Sequence, residues 1–145
     1  MNTTNAKRAL VYNADTGFRV ETYDNTSYAF LKETVDGFIE HVSLAKLDKK
    51  NIDLWINEEG KLRGDYNPVF ALTYDGKIID FIFGGDVVFL KYNDDGESLP
   101  LGDDDIDYIT DLIDNAPYIV DTYARFIPCL SYDDTDDDSP RLPNA

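Results

Sequence analysis

The chain predicts an α+β domain with a mixed, mainly antiparallel sheet, and three observations carry that expectation. Residues 76–92, GKIIDFIFGGDVVFLKY, hold two consecutive apolar runs rich in Ile, Val and Phe. Runs of that length bounded by glycine read as buried strands rather than helices. Strand-like segments recur at 7–12, 18–23, 38–44 and 52–56, whereas 26–36 and 105–115 carry apolar residues at helical spacing. The length of 145 residues, with 43% hydrophobic and 13% aromatic content, suits one domain that buries roughly two thirds of its unfolded surface.

In chain order, residues 7–12 (KRALVY) form a first strand, 13–17 a turn, and 18–23 a returning strand. Asn25 or Thr26 sits where a helix cap belongs. Tyr28, Leu31 and Val35 then recur at helical spacing over about 26–36, and Gly37 suits the position just past the helix end. Residues 38–44 alternate as a strand, 44–51 make a charged connection, and 52–56 form another strand. Residues 57–64 turn at the surface, 65–68 turn again, and 69–73 read as a strand or one helical turn. Asp75-Gly76 is a hairpin signal leading into the central runs, and Gly84-Gly85 between them can adopt the positive φ values of a primed turn. Residues 76–92 are therefore expected to form the central hairpin of the sheet.

C-terminal helices are expected over about 104–127. Asp103 or Asp104 caps the first, on which Ile106, Ile109 and Ile113 make one apolar face. Pro117 opens the second, where Ile119, Tyr123, Phe126 and Ile127 recur at helical spacing, and Pro128 closes it. Residues 1–130 thus form a single compact domain. Residues 131–145, SYDDTDDDSPRLPNA, have almost no apolar content and are expected to be an acidic, disordered tail.

Charge narrows the function classes. There are 29 acidic residues against 13 Lys plus Arg, a formal net charge of −16. Residues 1–92 hold 14 acids and 11 bases, a net of −3; residues 93–145 hold 15 acids and 2 bases, a net of −13. Such a field repels nucleic-acid phosphates and anionic membranes and attracts basic partners. Direct DNA binding and membrane association are not expected. The longest apolar runs fall short of the ~18 residues a spanning helix needs, and MNTTNAKRAL lacks the apolar core of a secretory signal. With a single cysteine, Cys129, no internal disulfide forms. A cytoplasmic protein is the expectation.

The order FLKETVDGFIEHVSL, INEEGKLRGDYNPVFAL, DGKIIDFIFGGDVVFL and an acidic helix opening LPLGDDDI resembles the domain of unknown function family 3846. That family comprises small proteins carried largely by phages, plasmids and their hosts. The likeness covers roughly residues 7–113, with NEEGKL, Gly64, Asn67 and GDVVFL as its most specific part. The family's VGG-[YF]-IE pattern stands here as Val35-Asp36-Gly37-Phe38-Ile39-Glu40, with Asp at the first glycine. Where relatives tend to carry Pro-Asn and then Arg-Ala, this chain has Asn67-Pro68-Val69-Phe70-Ala71, without the arginine. The resemblance implies a compact α+β domain and a mobile-element context, and supplies no activity.

Candidate chemistry is sparse. Glu58 and Glu59, with Asp65 nearby, are paired carboxylates of the kind used in acid–base work, but no cationic or histidine partner is placed beside them. A solvated turn is the preferred explanation for them. His41 and Cys129 are too few for zinc, and nothing in the sequence brings them together as a nucleophilic pair. The stretch 60–64, GKLRG, sets Lys61 and Arg63 beside flexible backbone. With Glu58 and Glu59 it makes a candidate loop for an anion, a nucleotide or another ligand. That loop carries the alternative reading, a small enzyme or nucleotide-binding protein. Asn93, Asp95 and Glu97 alternate like calcium ligands, but the glycine is misplaced and no closing glutamate follows at the twelfth position. No catalytic residue, metal or cofactor is assigned.

The acidic helix is the strongest functional feature. Asp104, Asp107, Asp111 and Asp114 line the side opposite the isoleucines over about 15 Å. With Asp103 they form a candidate partner-binding strip. A row of carboxylates can imitate closely spaced phosphates and occupy a basic nucleic-acid channel. The expectation is an acidic interaction protein, a DNA mimic that inhibits a basic host nuclease, DNA-binding factor or other defence protein. The plain alternative is a domain whose acidity serves solubility alone.

Overall fold

The computed structural model describes residues 6–24, 26–62, 64 and 67–134. The chain folds as two mainly antiparallel sheets with a few helices. Strands β1 (Lys7–Asn13) and β2 (Gly17–Tyr23) form an N-terminal hairpin, with Gly17 at φ +83° in the turn. Helix α1 (Ser27–Val35), strand β3 (Ile39–Val42), the one-turn α2 (Ala45–Asp48) and β4 (Ile52–Asn57) follow. A 3₁₀ turn at Gly60–Leu62 precedes β5 (Asn67–Tyr74), β6 (Lys77–Gly84) and β7 (Asp86–Tyr92). Then come β8 (Ser98–Leu99), α3 (Asp103–Asp114), β9 (Tyr118–Val120) and β10 (Phe126–Ser131).

The first sheet runs β2-β1-β7-β4-β3, with β8 added to β7; the second runs β6-β5-β10-β9. The pairing of β10 with β5 is parallel, which makes the architecture mixed. The α+β class and the helix expected near 26–36 both stand. Thr26 caps α1, its hydroxyl accepting from the Ala29 N–H at 3.3 Å. At the other end Asp36, not Gly37, takes the left-handed conformation at φ 62°. A short polar side chain tolerates that region better than most.

Two local expectations are corrected. Both central runs are strands, yet they do not pair with each other: β6 lies against β5, and β7 between β1 and β4. A primed turn needs positive φ, and among the described glycines only Gly17, Gly76 and Gly96 have it. Gly84-Gly85 instead carries the chain from one sheet to the other. The tight hairpin lies one step earlier, at Asp75 (φ 52°) and Gly76 (φ 77°), joining β5 to β6.

The second correction concerns the helix expected up to residue 127, which stops with α3 at Asp114. Residues 117–128 form the β9–β10 hairpin instead, consistent with the strand preference of Tyr, Ile, Val and Phe. Asp121 N–H bonds Arg125 O at 3.1 Å and Cys129 N–H bonds Pro117 O at 2.7 Å. Pro128 therefore sits opposite Tyr118 at a wide pair, where β9 needs no N–H from it.

Alternation along the strands distributes three apolar clusters. Val87 and Phe89 of β7 join Leu10, Leu54, Phe70, Leu72, Ile82 and Leu130 between the two sheets, closed by Ile109 and Ile113 of α3. Val88 and Leu90 point the other way, against Leu31 and Val35 of α1. Ala71, Ile78, Ile127 and Cys129 make a smaller cluster on the far side of the second sheet. Order also continues past residue 130. Tyr132 N–H bonds Thr73 O at 2.8 Å, its carbonyl accepts from Ala45 N–H at 3.1 Å, and Lys49 reaches Asp134 at 3.3 Å. The remainder of the acidic tail, 135–145, lies outside the described residues.

Candidate functional site

Two places gather the chemistry-bearing residues: the outer face of α3 and a cleft between the sheets. Helix α3 is held firmly. Arg8 donates to Leu101 O at 3.0 Å and to Asp103 Oδ1 at 2.9 Å. Asp105 Oδ2 accepts the Gly102 N–H at 2.8 Å, and its other oxygen accepts from Lys91 Nζ at 2.9 Å. Partial burial alone would raise the Asp105 pKa, but the Gly102 and Lys91 hydrogen bonds outweigh it and hold the carboxyl below its ordinary range. Further along, the Tyr108 hydroxyl donates to Lys46 O at 2.7 Å, while Ile109 and Ile113 are buried.

That anchoring fixes which acids face outward. Asp104, Asp107, Asp111 and Asp114 are exposed along one side of α3. Among the described residues no cation lies within ion-pair distance of any of these four. Asp103 differs, because Arg8 neutralises it. The strip also has a border: Lys46 of α2 and Lys49 just past its end line a shallow groove beside Asp111, Tyr108 and Asn115. Lys50 lies 5.2 Å above the Tyr108 ring.

The cleft, about 130 Å³, opens where the 3₁₀ turn meets β3, β4 and β6. Its polar lining is Glu40, Asn57, Glu58, Lys61, Asp80 and Tyr132, over Val42, Ile56, Leu72 and Ile82. The turn that shapes it is specified by two residues. Buried Asn57 donates from Nδ2 to Val35 O at 2.9 Å and Asp36 O at 3.3 Å, and accepts the Glu59 N–H at 2.8 Å. Gly60 passes so close to β6 that a Cβ there would lie 2.0 Å from Phe83 O. Lys61 is paired with Asp80. Burial opposes charge on Asp80, yet hydrogen bonds from Lys61 and the Phe81 N–H hold its pKa down. Burial, followed by the field of Asp80, pushes the Tyr132 phenol up.

The candidate ligand loop is thus divided. Glu58 and Lys61 face the cleft, and Glu59 is exposed beside it. Arg63 and Asp65 lie outside the described residues. With three carboxylates and one engaged ammonium, the lining is anionic. Glu40, Asp80 and Tyr132 were not identifiable from sequence as neighbours of the loop, since only the fold brings them there.

His41 projects from the opposite face of β3. Its Nε2 lies 3.0 Å from Asp53 Oδ1 and its ring 5.1 Å from Trp55. Burial dominates at Asp53 and raises its pKa. Cys129 belongs to the small cluster beyond the second sheet, where burial pushes its thiol up to about 11. A thiol so protonated is inert at neutral pH. Among the described residues no three His, Cys, Asp or Glu side chains are grouped to hold a metal ion, and no helix is long and apolar enough to cross a membrane.

A family model described as Domain of unknown function (DUF3846) matches residues 7–114. The chain belongs to this family. No curated protein and no solved structure matches it. The DUF3846 span takes in every strand of the first sheet, β5 and β6 of the second, the cleft turn and all of α3. The β9–β10 hairpin falls beyond it.

Proposed function

We propose that the chain is an acidic interaction domain whose α3 strip docks on a basic protein surface. The observation that carries this reading is the row Asp104, Asp107, Asp111 and Asp114, exposed on one face of a helix anchored at its first residue and again at mid-length. Carboxylates on a fixed helix lose little freedom on binding, and the field between opposite charges steers association. The finer form of the proposal is phosphate mimicry. The strip occupies the nucleic-acid channel of a basic host nuclease or DNA-binding factor, in the cytoplasm of a cell that carries a mobile element. Capture from host lysate at low and high salt tests it. Partners released by salt, and lost with Asp104→Asn/Asp107→Asn/Asp111→Asn/Asp114→Asn, support it. Equal capture by that variant removes the strip from the mechanism, and acidity then serves solubility alone.

A second reading rests on the cleft, which collects Glu40, Glu58, Lys61, Asp80 and Tyr132 over an apolar floor. Its excess of carboxylates suits a small cationic or neutral polar ligand better than a nucleotide. Chemical-shift changes at Tyr132 and Phe81 on titrating a small amine, lost in Glu58→Gln, favour that use. An unresponsive cleft counts against it.

A further inference from the structure

The β9–β10 hairpin leaves apolar surface uncovered beside the strip. Tyr118 is 58% exposed, Val120 53% and Phe126 68%, and Tyr123 in the turn reaches 78%. Tyr118 pairs with Pro128 and Val120 with Phe126, so these side chains share one face of the hairpin. Along β10 the same face carries Leu130, which meets α3 in the core. The patch therefore lies on the α3 side of the second sheet, and the chain reaches Tyr118 only four residues after Asp114. The two rings stand edge to face, 5.0 Å apart. Strand β9 is the edge of its sheet. The local cation is occupied: Arg125 bonds Asp121 at 2.7 Å and lies 5.1 Å over Tyr123.

Clustered exposed aromatics mark contact surfaces, because such rings supply large area at small entropic cost. Charge decides the occupant. With a net charge of −16, a second copy docked here would set one acidic strip against another. A basic partner meets no such penalty.

We propose that Tyr118, Val120 and Phe126 form the apolar contact of an interface rimmed by the α3 carboxylates. The occupant is a basic protein segment that alternates Lys or Arg with aliphatic side chains. This rests on the interaction reading of the strip and adds the chemistry that the strip alone lacks.

Two labelled peptides of equal charge test it on the full chain by fluorescence anisotropy, one alternating Lys with Ser and the other Lys with Leu. The Lys/Leu peptide is expected to bind at least about tenfold tighter, the size of effect a modest apolar contact supplies. Tyr118→Ser/Phe126→Ser is expected to abolish that preference and leave Lys/Ser binding unchanged. The four-Asn variant is expected to weaken both peptides. Equal affinity for the two peptides, or a preference that survives Tyr118→Ser/Phe126→Ser, overturns the proposal. So does a dimer in sedimentation equilibrium that this double variant dissolves, since the occupant is then a second copy. If the four-Asn variant binds both peptides normally while Tyr118→Ser/Phe126→Ser still removes the preference, the strip reading fails and the acidic rim with it. Circular dichroism confirms that each variant is folded, and Tyr123→Ser supplies a milder truncation at the turn.

Discussion

The central strands of the first sheet are packed by other elements on both faces, whereas the far face of the second carries only the small cluster of Ala71, Ile78, Ile127 and Cys129. Strand β7 shows the first condition: Val87 and Phe89 meet the inter-sheet core, while Val88 and Leu90 meet α1. Strand β6 shows the second, with Ile82 inside, Asp80 at the cleft and Ile79 54% exposed. The contrast separates two kinds of apolar sequence. An unbroken run such as VVFL is apolar because both its faces are buried. An interrupted run such as IIDFIF borders something else, here a cleft and an open surface. Stability should therefore concentrate in the first sheet, and binding at the second sheet and α3.

Phe89→Ala breaks that division most severely if it is right. Phe89 is fully buried, and truncation of a buried phenylalanine costs about 3–5 kcal/mol. Ile79→Ala should cost under ~1 kcal/mol, as for most surface changes. Urea unfolding of both variants measures the ratio, and equal losses would dissolve the distinction. Gly60→Ala comes next. Its Cβ would meet Phe83 O at 2.0 Å, so backbone must shift, at about 1–3 kcal/mol by the usual cost of overpacking. The same denaturation experiment reads it, and a neutral result would mean that turn and β6 are not in contact.

Acid titration gives a smaller effect within the first sheet. Asp86 is held below its ordinary pKa mainly by the hydrogen bond from Arg19, aided by Asn13. A depressed folded pKa contributes stability above the unfolded value of about 3.9, and that contribution is lost as pH falls through the folded value. Arg19→Gln should flatten stability against pH in that acid range, as followed by thermal unfolding between about pH 2 and 5. The smallest expected change is Ala124→Gly. Ala124 holds φ 62° in the β9–β10 turn, where glycine avoids the Cβ clash, and a gain of about 0.5–1 kcal/mol is expected. A loss on thermal unfolding would show that this turn conformation is not maintained.

Much of this fold was legible in the chain. The N-terminal hairpin, α1, β4, β7 and α3 follow from period, with Thr26 capping α1 as expected; α3 starts one residue earlier than its expected cap allows, with Gly102 as N-cap and Asp103 and Asp104 inside the first turn. The pairing of the two central runs was not, because a two-glycine link serves a tight hairpin and a crossing between sheets equally well. Residues 117–128 misled for a different reason: Ile119, Tyr123, Phe126 and Ile127 fit a helical period, and only the packed sheet reveals their strand pairing. The α3 strip was readable because its residues share one helix. The cleft was not, because Glu40, Asp80 and Tyr132 reach Glu58 and Lys61 only through sheet packing.

The salt dependence of affinity for a captured basic partner tests the central claim most directly. Measured for the native chain and for Asp104→Asn/Asp107→Asn/Asp111→Asn/Asp114→Asn, it should weaken steeply with salt in the first case and only slightly in the second, with unfolding midpoints alike. Identical salt curves for the two proteins would contradict it.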